Sequence, residues 1–122
     1  MRMWMVDPRV MCRKHLLGEH VELHMFVGHL RRGRRIEGFI AHNCVEPKSL
    51  ERRHAALVRE LQRRGYRHRS PLRHVHVRTL RLYSAVRVDR HSALRDLTTR
   101  CTECAEREPT ETVVDFASQS WA

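Results

Sequence analysis

Cys12-Arg-Lys-His-Leu-Leu-Gly-Glu-His-Val-Glu-Leu-His24 is the stretch on which the fold turns. Leu16, Leu23, Val27 and Leu30, with His20 between the first two, repeat at the four-three spacing of a buried helical stripe. Beside them, at the same spacing, run His15, Glu19, Glu22 and Phe26. Carboxylates and an imidazole on the shoulder of a core face cost free energy unless they are paired or used. Residue statistics alone favour a salt-bridged structural role for Glu22. The N-terminus changes that balance. Residues 1 to 11 span up to ~35 Å when extended, and Glu22 lies about 16 Å along a helix beyond Met11. The N-terminal segment can therefore fold back and set the Met1 α-amine beside Glu22.

Outward from this helix, the punctuation predicts three helices. Asp7-Pro8 is a helix-start pair, so the first helix begins between there and Cys12. Arg31 and Arg32 suit its last turn and Gly33 its end. Ile36 to Val45, broken by Gly38 and Asn43, reads as a loop or short extended stretch. Pro47 opens a second helix with Leu50, His54, Leu57 and Leu61 inward, and Gly65 stops it. Arg52, Arg53, Arg59, Arg63 and Arg64 fall on its outer face. Tyr66 to Arg87 reads as an extended connector packed on the helices, since one isolated strand would have no partner. A third helix runs from about Asp89 to Pro109, with Leu94, Leu97, Cys101 and Cys104 as its apolar stripe. The whole chain, 1–122, is expected to form one compact all-α domain. Its 110–122 tail would dock partly, through Val113, Val114, Phe116 and Trp121.

The chain has 122 residues and a formal net charge of +10, with 41% hydrophobic and 6% aromatic residues. That bounds a modest, mostly aliphatic core. Of the 24 basic residues only Lys14 and Lys48 are lysines. An arginine excess that clusters along the chain points to a polyanion, most often nucleic acid; a compositional bias is the plainer alternative. No apolar run approaches the ~20 residues of a membrane span. Met1 to Val6, broken by Asp7-Pro8, is too short for a signal peptide. An intracellular setting is expected, with Cys12, Cys44, Cys101 and Cys104 as reduced thiols.

Three constellations have competing readings. Cys101-x-x-Cys104 is half of a zinc site, but no second pair with matching spacing stands out, and core packing is the favoured reading. His20 and His24 have a metal-binding interval without the order of a metalloprotease motif, so they are read as interior or surface histidines. Arg31, Arg32, Arg34 and Arg35 form either a solvated helix end or a phosphate clamp.

The residues just quoted resemble the pyrimidine-dimer DNA glycosylases. The likeness is densest in His15-Leu-x-Gly-Glu-His-x-Glu22-Leu, in the segment around Arg31 to Phe39, and in Leu61-Gln-Arg-Arg-Gly65-Tyr66. It is weaker in Val88-Asp89-x-x-x-Ala93-Leu94 and extends to about Arg107. The resemblance implies three compactly packed helices with the N-terminus threaded between them. It also implies a coupled glycosylase and abasic-site lyase, in which the amine of the first residue attacks the sugar carbon bearing the damaged base. Carried onto this chain, the catalytic groups are the Met1 amine and Glu22. Arg2 falls beside the nucleophile and His15 at the family's helix-one histidine. Lys14 is the alternative nucleophile.

An α-amine ordinarily titrates at about 7.7–8.0, so an appreciable fraction is nucleophilic at neutral pH. No cofactor and no metal is expected. The implied partner is double-stranded DNA with damaged bases, bound by a monomer. Its expected setting is the cytoplasm, at the nucleoid, with a phage-encoded protein acting in a host cell as the secondary alternative. Val21 and Met25 replace DNA-contacting arginines of the phage member, and the tail lacks that member's aromatic and basic motif. Arg13, Lys14, Arg31, Arg32, Arg34 and Arg35 are the candidates to supply phosphate contacts instead. A basic DNA-binding protein without catalysis, or a zinc protein built on Cys101 and Cys104, are the competing functions.

Overall fold

The computed structural model describes residues 1–107, and over these the chain is all-α. The expected tail docking and the stop at Pro109 lie outside the described residues. Helix α1 (Arg13–Arg31) begins later than the Asp7-Pro8 pair. That pair instead starts a 3-10 turn, Pro8–Val10, with the Asp7 carboxylate accepting the Arg9 N–H at 3.0 Å. Cys12 then caps α1, its sulfur accepting the His15 N–H at 3.5 Å. Past Arg31 the chain reverses at Gly33, whose φ of +69° suits glycine.

The first and second long helices stand where the apolar spacing puts them. Helix α3 (Leu50–Arg63) follows a 3-10 turn at Pro47–Ser49 and ends before Gly65, at φ +91°. Three short helices were not expected. Helix α2 (Glu37–Ala41) occupies the Ile36–Val45 loop. Helix α4 (Val77–Arg81) takes the place of an extended connector, started by the His76 imidazole accepting the Arg78 N–H at 3.1 Å. The third long helix is split. Helix α5 (Arg90–Arg100) stops at Cys101, which is extended at φ −126° and ψ 109°, and α6 (Thr102–Arg107) follows. Cys101 and Cys104 are therefore not on one helical stripe: Cys104 is buried and Cys101 partly exposed.

α1 packs chiefly on α3, and the N-terminal segment is threaded into the core they form. Met3, Met5 and Val6 are buried with Leu16, Leu23 and Phe26 of α1 and Leu57 of α3. Leu97 of α5 joins the same core. The Met3 N–H donates to the Cys44 carbonyl at 2.6 Å, and Met5 takes a left-handed φ of +57°. Such backbone costs free energy outside glycine and persists only where packing holds it.

Arg53 corrects the outer-face reading of α3. It is fully buried and forms a two-bonded ion pair with Glu19 of α1, at 2.6 and 2.8 Å. It also donates to the Val6 carbonyl, and to the Met11 sulfur at 3.3 Å, so one side chain joins α1, α3 and the threaded segment. Glu46 does a similar task for α5. Its buried carboxylate accepts the Val88 N–H at 2.9 Å and the Ser49 hydroxyl, and lies 3.6 Å from Arg90. Among the described residues no helix is long and apolar enough to cross a membrane.

Candidate active site

Threading the N-terminus puts the Met1 amine against α1. Its nitrogen lies 3.8 Å from the Glu22 carboxylate, with Glu22 about one-third exposed and the Met1 side chain nearly covered. Leu16 and Leu23 bury one face of α1, which fixes the helix's rotation and turns Glu22 toward the amine. Burial lifts the Glu22 carboxyl above the ordinary glutamate range. The Met1 amine and an Arg2 backbone hydrogen bond pull it back, Glu19 raises it again, and the balance is upward.

A cavity of about 950 Å³ opens over this pair. Its wall includes Met1, Arg2, Lys14, His15, Glu22 and Arg35, six of the residues singled out in the sequence. Four others do not line it. Arg13 packs its guanidinium 5.6 Å from the Tyr66 ring centre, and Arg31 donates to the His74 carbonyl. Arg32 and Arg34 are exposed beyond the end of α1. The arginine cluster is thus divided, with Arg35 alone facing the cavity.

Arg2 is held twice over. Its guanidinium lies 4.0 Å above the Trp4 ring and pairs with Asp96 at 3.1 Å. Its guanidinium is thus already engaged by two side chains of the protein. Sequence reasoning missed Asp96 and Arg100 of α5, and Gly38, Phe39 and His42 in and just after α2, which also line the cavity. Asp96 and Arg100 lie one helical turn apart, a signal visible only once α5 is known to face the cavity. Arg100 is exposed and adds positive charge to the cavity wall, as Arg35 does.

The site can hold an anionic strand. Lys14, Arg35 and Arg100 border a recess whose floor carries one amine and one carboxylate in contact range. Two further groups of side chains have the composition of metal ligands. Cys12 and His15 meet Cys101 and Cys104, and His20 meets His54 and His68. The first group includes the cysteines expected to be simple core residues.

A family model described as pyrimidine dimer DNA glycosylase matches residues 1–74. No curated protein and no solved structure matches the chain. The matched span holds the threaded N-terminus, Glu22 and Arg35, together with both long helices that carry the core ion pair. The chain belongs to the pyrimidine dimer DNA glycosylase family.

Proposed function

We propose that this protein is a DNA repair glycosylase with abasic-site lyase activity, acting on a cyclobutane pyrimidine dimer, with the Met1 amine as nucleophile and Glu22 as the essential carboxylate. The observation that carries the reading is the 3.8 Å approach of the amine to Glu22 on the floor of a basic-rimmed cavity. The neutral amine attacks C1′ of the damaged nucleotide, the bond from C1′ to the base breaks with its electron pair staying on the base, and a proton from the attacking nitrogen neutralises that base. The ionised Glu22 stabilises positive charge developing on the sugar. The C1′–O4′ bond then breaks as O4′ takes up a proton from water, opening the ring to an iminium ion in which the former amine nitrogen is doubly bonded to C1′. A proton then leaves C2′, the C3′–O bond breaks, and the strand is cut by β-elimination. Water releases the sugar fragment and restores the amine.

Reaching C1′ requires the nucleotide to leave the stack, which a bent duplex and a damaged, weakly paired base make easier. Lys14, His15, Arg35 and Arg100 are the groups proposed to meet the DNA at the cavity. Arg13, Arg31, Arg32 and Arg34 would act only on more distant phosphates. The reading requires a free amine at Met1.

Borohydride trapping tests it. Untagged protein is mixed with an abasic-site duplex and, separately, with a UV-irradiated duplex, and the adduct is mapped by mass. The expected result is an adduct on the Met1 amine with both DNAs, lost in Glu22→Gln and after N-terminal acetylation. An adduct on Lys14, which lines the same cavity, moves the nucleophile but keeps the reaction. Binding without any adduct overturns the catalytic reading in favour of a DNA-binding protein that retains the fold.

A further inference from the structure

We propose that the chain holds two structural zinc ions, one bound by Cys12, His15, Cys101 and Cys104, the other by His20, His54 and His68, with His24 beside it. Neither ion takes part in the chemistry above, although His15 also borders its cavity, and Cys101 and Cys104 lie beyond the residues matched by the family.

The first site is carried by the spacing of its ligand atoms. A zinc–sulfur bond of about 2.3 Å in tetrahedral geometry sets sulfurs roughly 3.8 Å apart, and a sulfur and a nitrogen roughly 3.6 Å apart. Here the Cys12 and Cys101 sulfurs are 3.8 Å apart. His15 Nδ1 is 3.2 Å from the Cys12 sulfur and 3.7 Å from the Cys104 sulfur. All four ligand atoms lie within 4.8 Å of one another. Two pairs with the same two-residue gap, Cys12-x-x-His15 and Cys101-x-x-Cys104, supply them from opposite ends of the described chain. Backbone amides serve the sulfurs as they serve thiolates: the Cys12 N–H donates to the Cys104 sulfur at 3.2 Å. Cys12 also caps a 19-residue helix, where a negative sulfur is favoured. Three thiolates and an imidazole that close a tetrahedron select zinc among available divalent ions.

The second site rests on a different observation. Nε2 of His20, His24, His54 and His68 is buried in each case without a hydrogen-bond partner. Buried polar atoms are rarely left so, and four facing one another cannot all be satisfied by exchanging protons. A zinc–nitrogen bond of about 2.0–2.1 Å, with the ring centre about 1.1 Å further out, sets tetrahedral imidazole centres roughly 5.2 Å apart. The ring centres of His20 stand 5.1, 5.0 and 5.1 Å from those of His24, His54 and His68. His54 stands 5.2 Å from His24 and 5.1 Å from His68. His20, His54 and His68 each offer a ligand atom within 4.8 Å of the others, and one ion among them accepts those three lone pairs.

Each site joins elements far apart in the chain. The sulfur site ties the start of α1 to the break between α5 and α6. Its His15 ring meets Trp4 edge-on at 5.9 Å, and Trp4 carries Arg2 beside Met1, so the ion would brace the threaded N-terminus from behind. The histidine site pins the segment after α3 to α1 and α3.

The test is metal content of the full chain, purified in reductant without chelator. Elemental analysis should give about two zinc ions per chain, falling to about one in Cys101→Ser and about one in His54→Gln. Cobalt(II) replacing zinc should give a thiolate charge-transfer band, present in the unmodified protein and in His54→Gln and lost in Cys101→Ser, where only the ligand-field bands of the histidine site remain. The unmodified protein's spectrum does not depend on any variant folding. Folded protein without zinc overturns both sites. A disulfide between Cys12 and Cys101 in protein that still holds one zinc would overturn the first alone. A single zinc removed by one variant only upholds that variant's site and overturns the other. None of these readouts depends on glycosylase activity.

Discussion

At the scale of single residues, Glu22 and Glu19 show two uses of a carboxylate on one helix. Glu19 is fully buried and satisfied by two bonds from Arg53. Glu22 is part-exposed, weakly partnered and lifted by burial. A carboxyl whose folded-state pKa is raised binds its proton more tightly in the fold than in the unfolded chain. Its ionised form at neutral pH therefore detracts from stability, and that loss grows as pH rises through the unfolded value and levels off above the folded one. Glu22→Gln should accordingly leave the melting temperature unchanged or higher at neutral pH while removing activity. A clear fall in melting temperature would mean that the pair with Met1 holds the fold together. Arg53→Ala should behave oppositely. It leaves Glu19 charged and unpaired in the core, at a cost of about 3–5 kcal/mol by denaturant unfolding. Replacing both members, as in Glu19→Leu with Arg53→Met, should recover much of that loss.

At the scale of elements, most of α1 and α3 was legible, because their apolar spacing and terminal glycines are local signals. The threaded N-terminus and its meeting with Glu22 were legible too, from chain reach along a helix of known rise. Arg53 was misread although it stands three residues after Leu50 and four before Leu57, squarely on the buried stripe. Its charge argued for the outside, and its partner lies 34 residues upstream, where no local pattern links them. The meeting of the cysteines was hidden for the same reason. Cys12-x-x-His15 has the spacing of a half-site, but its counterpart is 89 residues away and meets it only because α5 breaks at Cys101. Short helices such as α2 and α4 have too few residues to show a period. The start of α5, by contrast, was read correctly from Asp89. Its carboxylate accepts the Ser92 N–H at 3.1 Å, and its backbone is gripped by Asn43 at 2.6 and 3.1 Å. Asp89→Ala should cost about 1 kcal/mol in equilibrium unfolding, the usual worth of such a cap. Because α5 carries Asp96 and Arg100 to the cavity, the same change should loosen DNA binding. Unchanged stability would show that the Asn43 contacts alone fix the start of α5.

At the scale of the whole molecule, a net charge of +10 drives association with DNA, but the fold decides how that charge is spent. Several arginines are already engaged: Arg53 in the core, Arg2 with Asp96, and Arg63 and Arg64 with Glu60 at 2.5 and 2.7 Å. Arg31 is held by the His74 carbonyl. Arg35 and Arg100 are exposed at the cavity. Each phosphate contact releases condensed counterions and contributes about 0.9 to the slope of log affinity against log salt on duplex DNA. Arg35→Ala and Arg100→Ala should each lower that slope by roughly 0.9, measured by fluorescence anisotropy across a salt series. Arg31→Ala should change it far less, since that guanidinium is turned to the protein's own backbone. The comparison separates two molecules with equal charge. In one, the basic residues form a diffuse attractive surface, and all three substitutions lower the slope alike. In the other, the fold focuses charge at the recess above Met1 and Glu22, and only the rim substitutions matter. The division of the Arg31 to Arg35 cluster between backbone and cavity argues for the second.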